Sequence, residues 1–369
     1  MKQMAENRIK RDYSLTGRDA LTADAAGLVS AEWYHTHIPR KTMKDLMRRY
    51  DGPALRDTAI WILFLLGLGA GGVFFWGTVW CVPFFIAYGV LYGSSGDSRW
   101  HECGHGTAFR TTWMNTAIYH IASFMMFREP TIWRWSHARH HTDTIIVGRD
   151  PEIAIMRPPN IAGIFLDFFA VRSTLNTLKH LIIHAAGRLT GEEKTFVPEM
   201  ERWKVFAIAR LILGIHVSVL VLAFELESWP LVMLIGILPT MYGAWLGHIF
   251  AMTQHAGLAE NVLDHRLNSR TVHMNAVSRF IYWNMNYHVE HHMFPMVPYH
   301  ALPKLHDMVL DDMPKPYGST LEVFLEIIPA LLKQRKDPDW HVRRELPSSA
   351  KFYRPEFHGQ NAPAVGHLP

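Results

Sequence analysis

The longest uncharged run of the chain constrains its fold more than any other feature. From Thr58 to Gly96, 39 consecutive residues include no Asp, Glu, Lys or Arg. As a continuous helix rising about 1.5 Å per residue, this run would be about twice as long as the hydrocarbon layer of a bilayer is thick. We therefore predict two membrane spans joined by a turn at residues 76–78, with Trp76 and Trp80 as interfacial anchors.

A second apolar block has the same organisation. It covers residues 205–224, is interrupted by the charged tip at 225–227, and resumes over residues 229–250. Arg210 inside the block is tolerable where it reaches the cytoplasmic interface or faces other helices. The predicted fold is an all-α integral membrane protein, with four transmembrane helices in two hairpins and a cytoplasmic helical domain.

Positive charge is distributed unevenly around these spans. Residues 1–57 carry 11 Lys and Arg, whereas the predicted hairpin tips at 76–80 and 225–229 carry none. Because positively charged flanks stay in the cytoplasm, we predict that both termini and the segments between the hairpins lie there. The predicted organisation is a basic N-terminal segment (1–57), a first hairpin (58–100), a cytoplasmic segment with two histidine clusters (101–204), a second hairpin (205–250), a cytoplasmic segment with the third cluster (251–346) and a loosely ordered tail (347–369).

The composition agrees with lipid contact. Apolar residues make up 49% of the chain and charged residues 19%, where ordinary soluble domains have about 25% charged residues. The net charge of +4 suits anionic lipid headgroups, and we expect no nucleic-acid partner because the basic residues form no continuous stripe. The two cysteines, Cys81 and Cys103, offer no disulfide framework.

Histidine clusters carry the strongest indication of function. Three motifs, HECGH, HARHH and HVEHH, group eight of the 23 histidines. Residues three or four positions apart project from one helical face, so each motif can direct two or three imidazoles at one point. Eight imidazoles exceed the needs of one ion and suggest two, and ligand type alone allows Zn, Cu, Fe or Ni. The predicted ligands are His101, His105, His137, His140, His141, His288, His291 and His292.

The three motifs resemble the histidine boxes of the membrane fatty acid desaturase family, whose pattern is HxxxH, HxxHH and HxxHH. The spacing between the boxes and the ending HVEHHMFP are similar as well. The resemblance implies a non-haem centre of two iron ions, dioxygen as co-substrate, and an external electron donor of the ferredoxin, rubredoxin or cytochrome type with its reductase. It also implies a ninth ligand, His255 of TQHAGL, near the cytoplasmic end of the fourth span.

Several other polar residues near the clusters are weaker candidates. Glu102, Asp143, Asn284 and Glu290 lie close to the histidines in sequence and are expected to hold imidazole N–H groups, unless they are exposed or cap helices. His248 shares a helical face with His255, whereas Cys103 should point away from the metal. The histidines expected to be structural are His120, His180, His184, His216, His265, His273, His300 and His306.

The expected reaction is oxidation of an apolar substrate such as an acyl chain. An unactivated C–H bond resists acid, base and nucleophile, so a cofactor must carry the difficult step. Desaturation is the default activity that the resemblance implies. Hydroxylation of the alkane or carotenoid type and oxidative demethylation use a similar site and stay open.

Two alternatives belong to other functional classes. His101, Glu102 and His105 also satisfy the HExxH pattern of zinc metalloproteases, but a site of that kind leaves the other boxed histidines without a role. A metal transporter or sensor is the second alternative. It is disfavoured because the clusters flank the spans, whereas transport sites lie near the bilayer midplane.

Overall fold

The part of the chain that can be described is entirely helical. The computed structural model describes residues 11–29, 32–351 and 353, and within these residues it contains no β-strand. Two isolated bridges, Thr271 with Tyr287 and Val272 with Tyr317, are the extended pairings in the described part. The predicted all-α class is confirmed there, while most of the predicted loosely ordered tail (347–369) lies outside the described residues.

Two short helices, α1 (Arg18–Ala25) and α2 (Arg40–Leu46), lie in the N-terminal segment, and the first hairpin begins within α3 (Asp51–Phe74). The stretch from Arg40 to Phe74 is long and apolar enough to cross a membrane, with a mean hydropathy of 1.7. Its large apolar side chains are widely exposed, as lipid contact requires; Phe74, for example, is 82% exposed.

The chain turns between Phe74 and Cys81, which brackets the predicted turn at 76–78. It then continues through α4 (Cys81–Gly89), a π-helical segment (Val90–Ser94) and α5 (Ser95–His105) without leaving helical backbone angles. Gly106, with φ +69°, ends α5 directly after the first histidine motif. A left-handed C-terminal residue of this kind is a common helix stop.

Four helices connect the hairpins: α6 (Thr112–Met125), α7 (Pro130–Thr142), α8 (Ile161–Asp167) and α9 (Val171–Ala185). Helix α7 starts at an N-cap formed by Glu129, whose carboxylate accepts the N–H of Ile132, followed by a proline at the first helical position. Helices α8 and α9 meet at 80° and together have the length and apolarity of one bent span.

The second hairpin differs from its prediction. Helix α10 (Arg202–Glu225) has the length and apolarity of a span, with a mean hydropathy of 2.4, and Arg210 donates to the carbonyl of Ala185 at 2.9 Å. The predicted fourth span (229–250) is not one helix but α11 (Pro230–Leu234), α12 (Ile237–Gly243) and α13 (Trp245–His255). Gly236 breaks it with φ +102°, a conformation that side chains disfavour. Two helices, or three with the bent pair, therefore qualify as spans among the described residues.

The remaining helices pack beside the end of the first hairpin that carries the first histidine motif. The largest buried cluster includes Trp100 of α5, Trp133 of α7 and Phe250 of α13. It also includes residues of the C-terminal region, so three distant parts of the chain share one core. The helices of the C-terminal region are α14 (His265–Asn268), α15 (Ala276–Tyr282), α16 (His288–Met293), α17 (Leu302–Val309) and α18 (Thr320–Lys336). Single 3-10 turns cover Glu193–Thr195 and Glu199–Glu201 before α10, and Leu310–Asp312 after α17.

Backbones of the two hairpins touch where glycines face each other. A Cβ placed on Gly243 of α12 would lie 1.8 Å from the carbonyl oxygen of Gly89, and one on Gly93 would lie 2.9 Å from the backbone nitrogen of Ala244. Small residues allow such close helix contacts. The contact fixes α13, which ends in His255, against α5, which carries the first histidine motif.

Candidate metal centre

Four short helical segments deliver the predicted ligands to one place. Helix α5 ends with the first motif, α7 ends with the second, α13 ends at His255, and α16 consists almost wholly of the third. Their side chains are buried or half-buried, with His291 fully inaccessible to solvent. The structure thus brings together all nine predicted histidines, although their role as ligands stays a prediction.

Five of the nine imidazoles form a first group. Each ring offers one nitrogen, and these five nitrogens all lie within 4.8 Å of one another. The closest approaches join Nε2 atoms: His101 to His291 at 2.8 Å, His105 to His137 at 3.0 Å, and His101 to His137 at 3.2 Å. The group consists of His101, His105, His137, His141 and His291.

A second group lies beside the first. His140, His255 and His292 offer nitrogens within 4.8 Å of one another. Nε2 of His288 is 3.0 Å from Nε2 of His255 and 3.0 Å from Nε2 of His292, so His288 extends this group to four. The rings of His141 and His292 stack at a centroid distance of 4.4 Å and connect the groups.

Hydrogen bonds at the far side of the rings fix which nitrogen carries the proton. Nδ1 of His255 is 2.7 Å from the carbonyl oxygen of Asn268, which can only accept, so Nδ1 donates and Nε2 keeps a lone pair. Nδ1 of His137 donates to Glu152 and Nδ1 of His140 to Asp150, each at 2.8 Å. The Nε2 lone pairs of these three rings therefore point toward the neighbouring imidazoles.

Lone pairs that face each other at about 3 Å repel unless a cation lies between them. Nitrogen ligands bind transition-metal ions at about 2.0–2.1 Å, so two ligands at right angles around one ion lie about 3 Å apart. The observed Nε2 separations of 2.8–3.2 Å match that value. The residues present therefore fit two metal ions, one in each group.

The protonation state of the rings suits metal binding as well. Burial, with His140 as a further cause, lowers the pKa of His105 to about 4 and that of His255 to about 3. Burial and neighbouring imidazoles lower the pKa of His101 and His291 well below the ordinary value. These rings are neutral at pH 7 and can bind a cation through Nε2.

The side chains predicted to support the imidazoles do something else, and that prediction is corrected. Glu102 accepts from the hydroxyl of Thr107 at 2.8 Å and from the backbone N–H of Tyr299 at 2.9 Å. Asp143 pairs with Arg139 at 3.4 Å and Arg149 at 3.2 Å.

The two remaining candidates are also occupied elsewhere. Asn284 accepts from Nε of Arg279 and donates to the carbonyl of Tyr299, and Glu290 accepts from Thr271 and His306. For Glu102 and Glu290 the reason is helical geometry, because a residue next to a ligand is rotated by about 100° around the helix and faces away from the metal. Asn284 has φ +56° and lies between α15 and α16, so it does not share a helix with His288.

The observed supports, Asp150 and Glu152, were missed by the sequence analysis. Both lie in the loop after α7, which folds back on that helix; Asp150 also accepts the backbone N–H of Ile145. Burial raises the pKa of Glu152 to about 7, although nearby His140 opposes the shift. The signal in the sequence was the acidic DPE triplet after a histidine box, but only the fold of the loop shows which imidazoles it reaches.

Most other histidines lie outside the two groups. His248 packs on Phe168 at a centroid distance of 4.8 Å and joins neither group. The ring of His265 stacks on Trp33 at a centroid distance of 4.2 Å and lies 5.1 Å from the ring of His292. His265 therefore packs behind the centre and contributes no nitrogen to either group. Cys103 is buried among core residues, as expected, and away from both groups.

A cavity of about 340 Å³ opens beside the centre. Its wall includes His101, His140 and His255 from the centre, and Trp100 and Met252 beside them. At its other side it borders residues 240–251 of the second hairpin and glycine 93 of the first. A mostly apolar cavity of this kind accepts a slender apolar molecule next to the imidazoles.

An all-helical chain with exposed apolar helices and a buried polyhistidine centre belongs to the class of helical membrane proteins with a metal-binding site. The fatty acid desaturase family profile matches residues 78–323 of this sequence, a span that contains all three histidine motifs. The chain is therefore a member of the fatty acid desaturase family.

One relative extends this finding to a characterised protein. The Delta(5) fatty acid desaturase fat-4 of Caenorhabditis elegans is 24% identical over 249 residues, which cover 60% of this chain and 55% of the relative. The chain thus spans about half the length of this curated relative.

Proposed function

We propose that this protein is a membrane-bound non-haem di-iron oxidoreductase that uses dioxygen and external electrons to desaturate an acyl chain or a similar apolar substrate. Membership in the fatty acid desaturase family supports the reaction class. The single observation that carries the proposal is the convergence of nine inward-facing imidazoles in two adjacent groups.

The two groups divide the proposed ligands between two ions. The first ion would be held by His101, His105, His137, His141 and His291, and the second by His140, His255, His288 and His292. A reduced iron pair supplies the activation of dioxygen that no amino-acid side chain can provide. Asp150 and Glu152 would keep His140 and His137 in the tautomer that binds through Nε2.

The protein's own contribution is to hold the substrate and exclude water. The cavity beside the centre is lined by apolar side chains such as Ile153 and Met252 along most of its wall, and it borders both hairpins. An acyl chain entering from the bilayer leaves one apolar environment for another, so van der Waals packing against the wall, and not removal from water, would hold it there. Positioning one carbon beside the imidazoles is what selects the bond that reacts.

Hydroxylation of an apolar substrate at the same site is the second candidate function. Removal of two hydrogens from the substrate gives an alkene, whereas removal of one hydrogen and addition of a hydroxyl gives an alcohol, and the histidines alone do not determine which occurs. The metalloprotease alternative loses its support. Its general base would be Glu102, which is fully buried and bonded to Thr107 and Tyr299.

The proposed topology keeps the predicted four spans, with helices of the two hairpins crossing the membrane and both termini in the cytoplasm. The absence of Lys and Arg from both hairpin tips supports this orientation. We also retain the predicted segment boundaries, so all three histidine motifs lie on the cytoplasmic side. A soluble electron donor could then reach the centre.

The proposal is tested by expressing the chain in a host that supplies a compatible reductase and donor. Lipid and metabolite profiles are compared with those of cells that express a His291→Ala variant. A new double bond in an acyl chain, present only with the unchanged protein, is the expected result. A new hydroxyl instead would favour the second candidate, and identical profiles together with an iron-free purified protein would refute both.

A further inference from the structure

A third set of metal-type donors lies outside the polyhistidine centre. His180 and His184 are one turn apart on α9, and Glu193 lies in the 3-10 turn that follows. Oε1 of Glu193 is 2.8 Å from Nδ1 of His180 and 2.9 Å from Nε2 of His184. The three donor atoms all lie within 4.8 Å of one another. The two histidines that were expected to be structural therefore converge on a carboxylate.

The chemistry of this set is that of a zinc-type site. Two imidazoles and one carboxylate are a recurrent ligand set for Zn²⁺, and three protein ligands leave a fourth position for water or another molecule. At Zn–ligand distances of about 2.0–2.1 Å, donor atoms around a tetrahedral ion lie about 3.3 Å apart, so the imidazoles need to move by only a few tenths of an ångström from their separations of 2.8 and 2.9 Å to the carboxylate. We propose that His180, His184 and Glu193 form a mononuclear divalent-cation site of the zinc type, separate from the polyhistidine centre.

Burial and charge favour a cation at this position. His184 is 2% exposed and Glu193 is 5% exposed, so few water molecules compete for their donor atoms. The carboxylate of Glu193 supplies a negative charge at this buried position.

A nearby orphaned oxygen points to the same ligand. Glu129 is 5% exposed, and its Oε1 has no hydrogen-bond partner among the described residues, whereas Oε2 caps α7. Glu129, His184 and Glu193 line one cavity of about 400 Å³. A water bound to the cation would give Oε1 of Glu129 the donor that it lacks.

The competing explanation is a plain hydrogen-bonded triad, in which Glu193 accepts from both rings. That arrangement satisfies Glu193 without a cation, and it leaves Oε1 of Glu129 without a partner among the described residues. The two explanations differ in one measurable respect, because only the cation site binds an additional metal ion per chain.

The test uses the full chain in detergent, saturated with Zn²⁺, dialysed free of unbound ion and analysed for zinc per chain. We expect Glu193→Gln and His180→Ala to bind one zinc per chain less than the unchanged protein. His120→Ala, which removes an exposed histidine of α6, is the matched control and should bind as much zinc as the unchanged protein.

Loss of fold is distinguished by circular dichroism in detergent, because a folded variant keeps the helical signal of the unchanged protein. His180 is 31% exposed in its side chain, so that substitution leaves no large void in the core. Equal zinc per chain in the unchanged protein and in both variants would overturn the proposal. The comparison counts a difference in zinc, so it stands independently of whether the polyhistidine centre carries iron or oxidises a lipid.

Discussion

The imidazoles of the proposed centre differ in how firmly their far sides are held. His137, His140 and His255 donate through Nδ1 to Glu152, Asp150 and a backbone carbonyl, respectively. Nδ1 of His141, His288 and His291, by contrast, is buried without a partner among the described residues. The bound ions would therefore orient these last rings more than their surroundings do.

Replacing His291 tests the ligand assignment most directly. His291→Ala removes an Nε2 that lies 2.8 Å from Nε2 of His101, and we expect iron binding and turnover to fall by about 100-fold or more. Iron per chain and product formation are the measurements. Undiminished turnover in an iron-loaded His291→Ala protein would contradict the assignment, and His120→Ala controls for general effects of losing a histidine.

The observed carboxylate partners make a sharper test than the ligands. Glu152→Gln keeps the shape of the side chain but removes the charge that holds Nδ1 of His137, so iron should be lost to a chelator about 10- to 100-fold more readily. Asp143→Asn is the matched control, because Asp143 pairs with arginines and not with an imidazole. Equal chelation kinetics in the two variants would show that Glu152 does not act on the centre.

Eight of the nine histidines were predictable from the sequence because a helical period relates residues three and four positions apart, and the family resemblance added His255. Their carboxylate partners were not, because Asp150 and Glu152 reach His140 and His137 through a loop whose path depends on packing. Proximity in sequence selected Glu102 and Glu290, which share the helices of the ligands but face away from them. The convergence of His180 and His184 on Glu193 was not predicted either, because it also depends on how the chain folds after a helix.

At the scale of helices, the two hairpins were predicted with unequal success. The turn between Phe74 and Cys81 was predictable because the apolar run is too long for one span. The break at Gly236 was not, because hydropathy averages over side chains and is blind to one residue with a positive φ. The π-helical segment Val90–Ser94 is a local backbone feature of the same kind.

The glycine contact between the hairpins predicts a measurable cost of adding one methyl group. Gly243→Ala would place a Cβ 1.8 Å from the carbonyl oxygen of Gly89, so the helices must separate. We expect a loss of about 1–3 kcal/mol of stability, seen as a lower thermal unfolding midpoint in detergent. Gly67→Ala is the control, since a Cβ there meets nothing within 4 Å. Equal midpoints for the two variants would argue against a tight contact.

For the whole molecule, the proposed orientation can be tested in intact cells. In a Cys81→Ser background, Glu227→Cys should react with a membrane-impermeant thiol reagent, because the proposed orientation places Glu227 at an outer hairpin tip. Lys304→Cys should stay unlabelled until the membrane is broken, although its side chain is exposed on the protein. Labelling of Lys304→Cys in intact cells would indicate the opposite orientation in the membrane.

The source of electrons is a second property of the whole chain. The sequence has no cysteine pattern that could hold an iron–sulfur cluster, since Cys81 and Cys103 are its two cysteines. We expect purified, iron-loaded protein to give no product with NADPH alone and to become active when a ferredoxin, rubredoxin or cytochrome and its reductase are added. Full activity with NADPH alone would exclude the need for a separate donor.

The assembly of the proposed iron centre from four separate helix ends would make the stability of the protein depend on iron supply. Ions that bind the folded state alone shift the folding equilibrium toward it. Newly made chains in an iron-starved cell would therefore spend more time with opposing lone pairs uncompensated, and quality-control proteases would remove more of them. Cellular abundance of this protein would then follow iron supply even at a constant rate of synthesis.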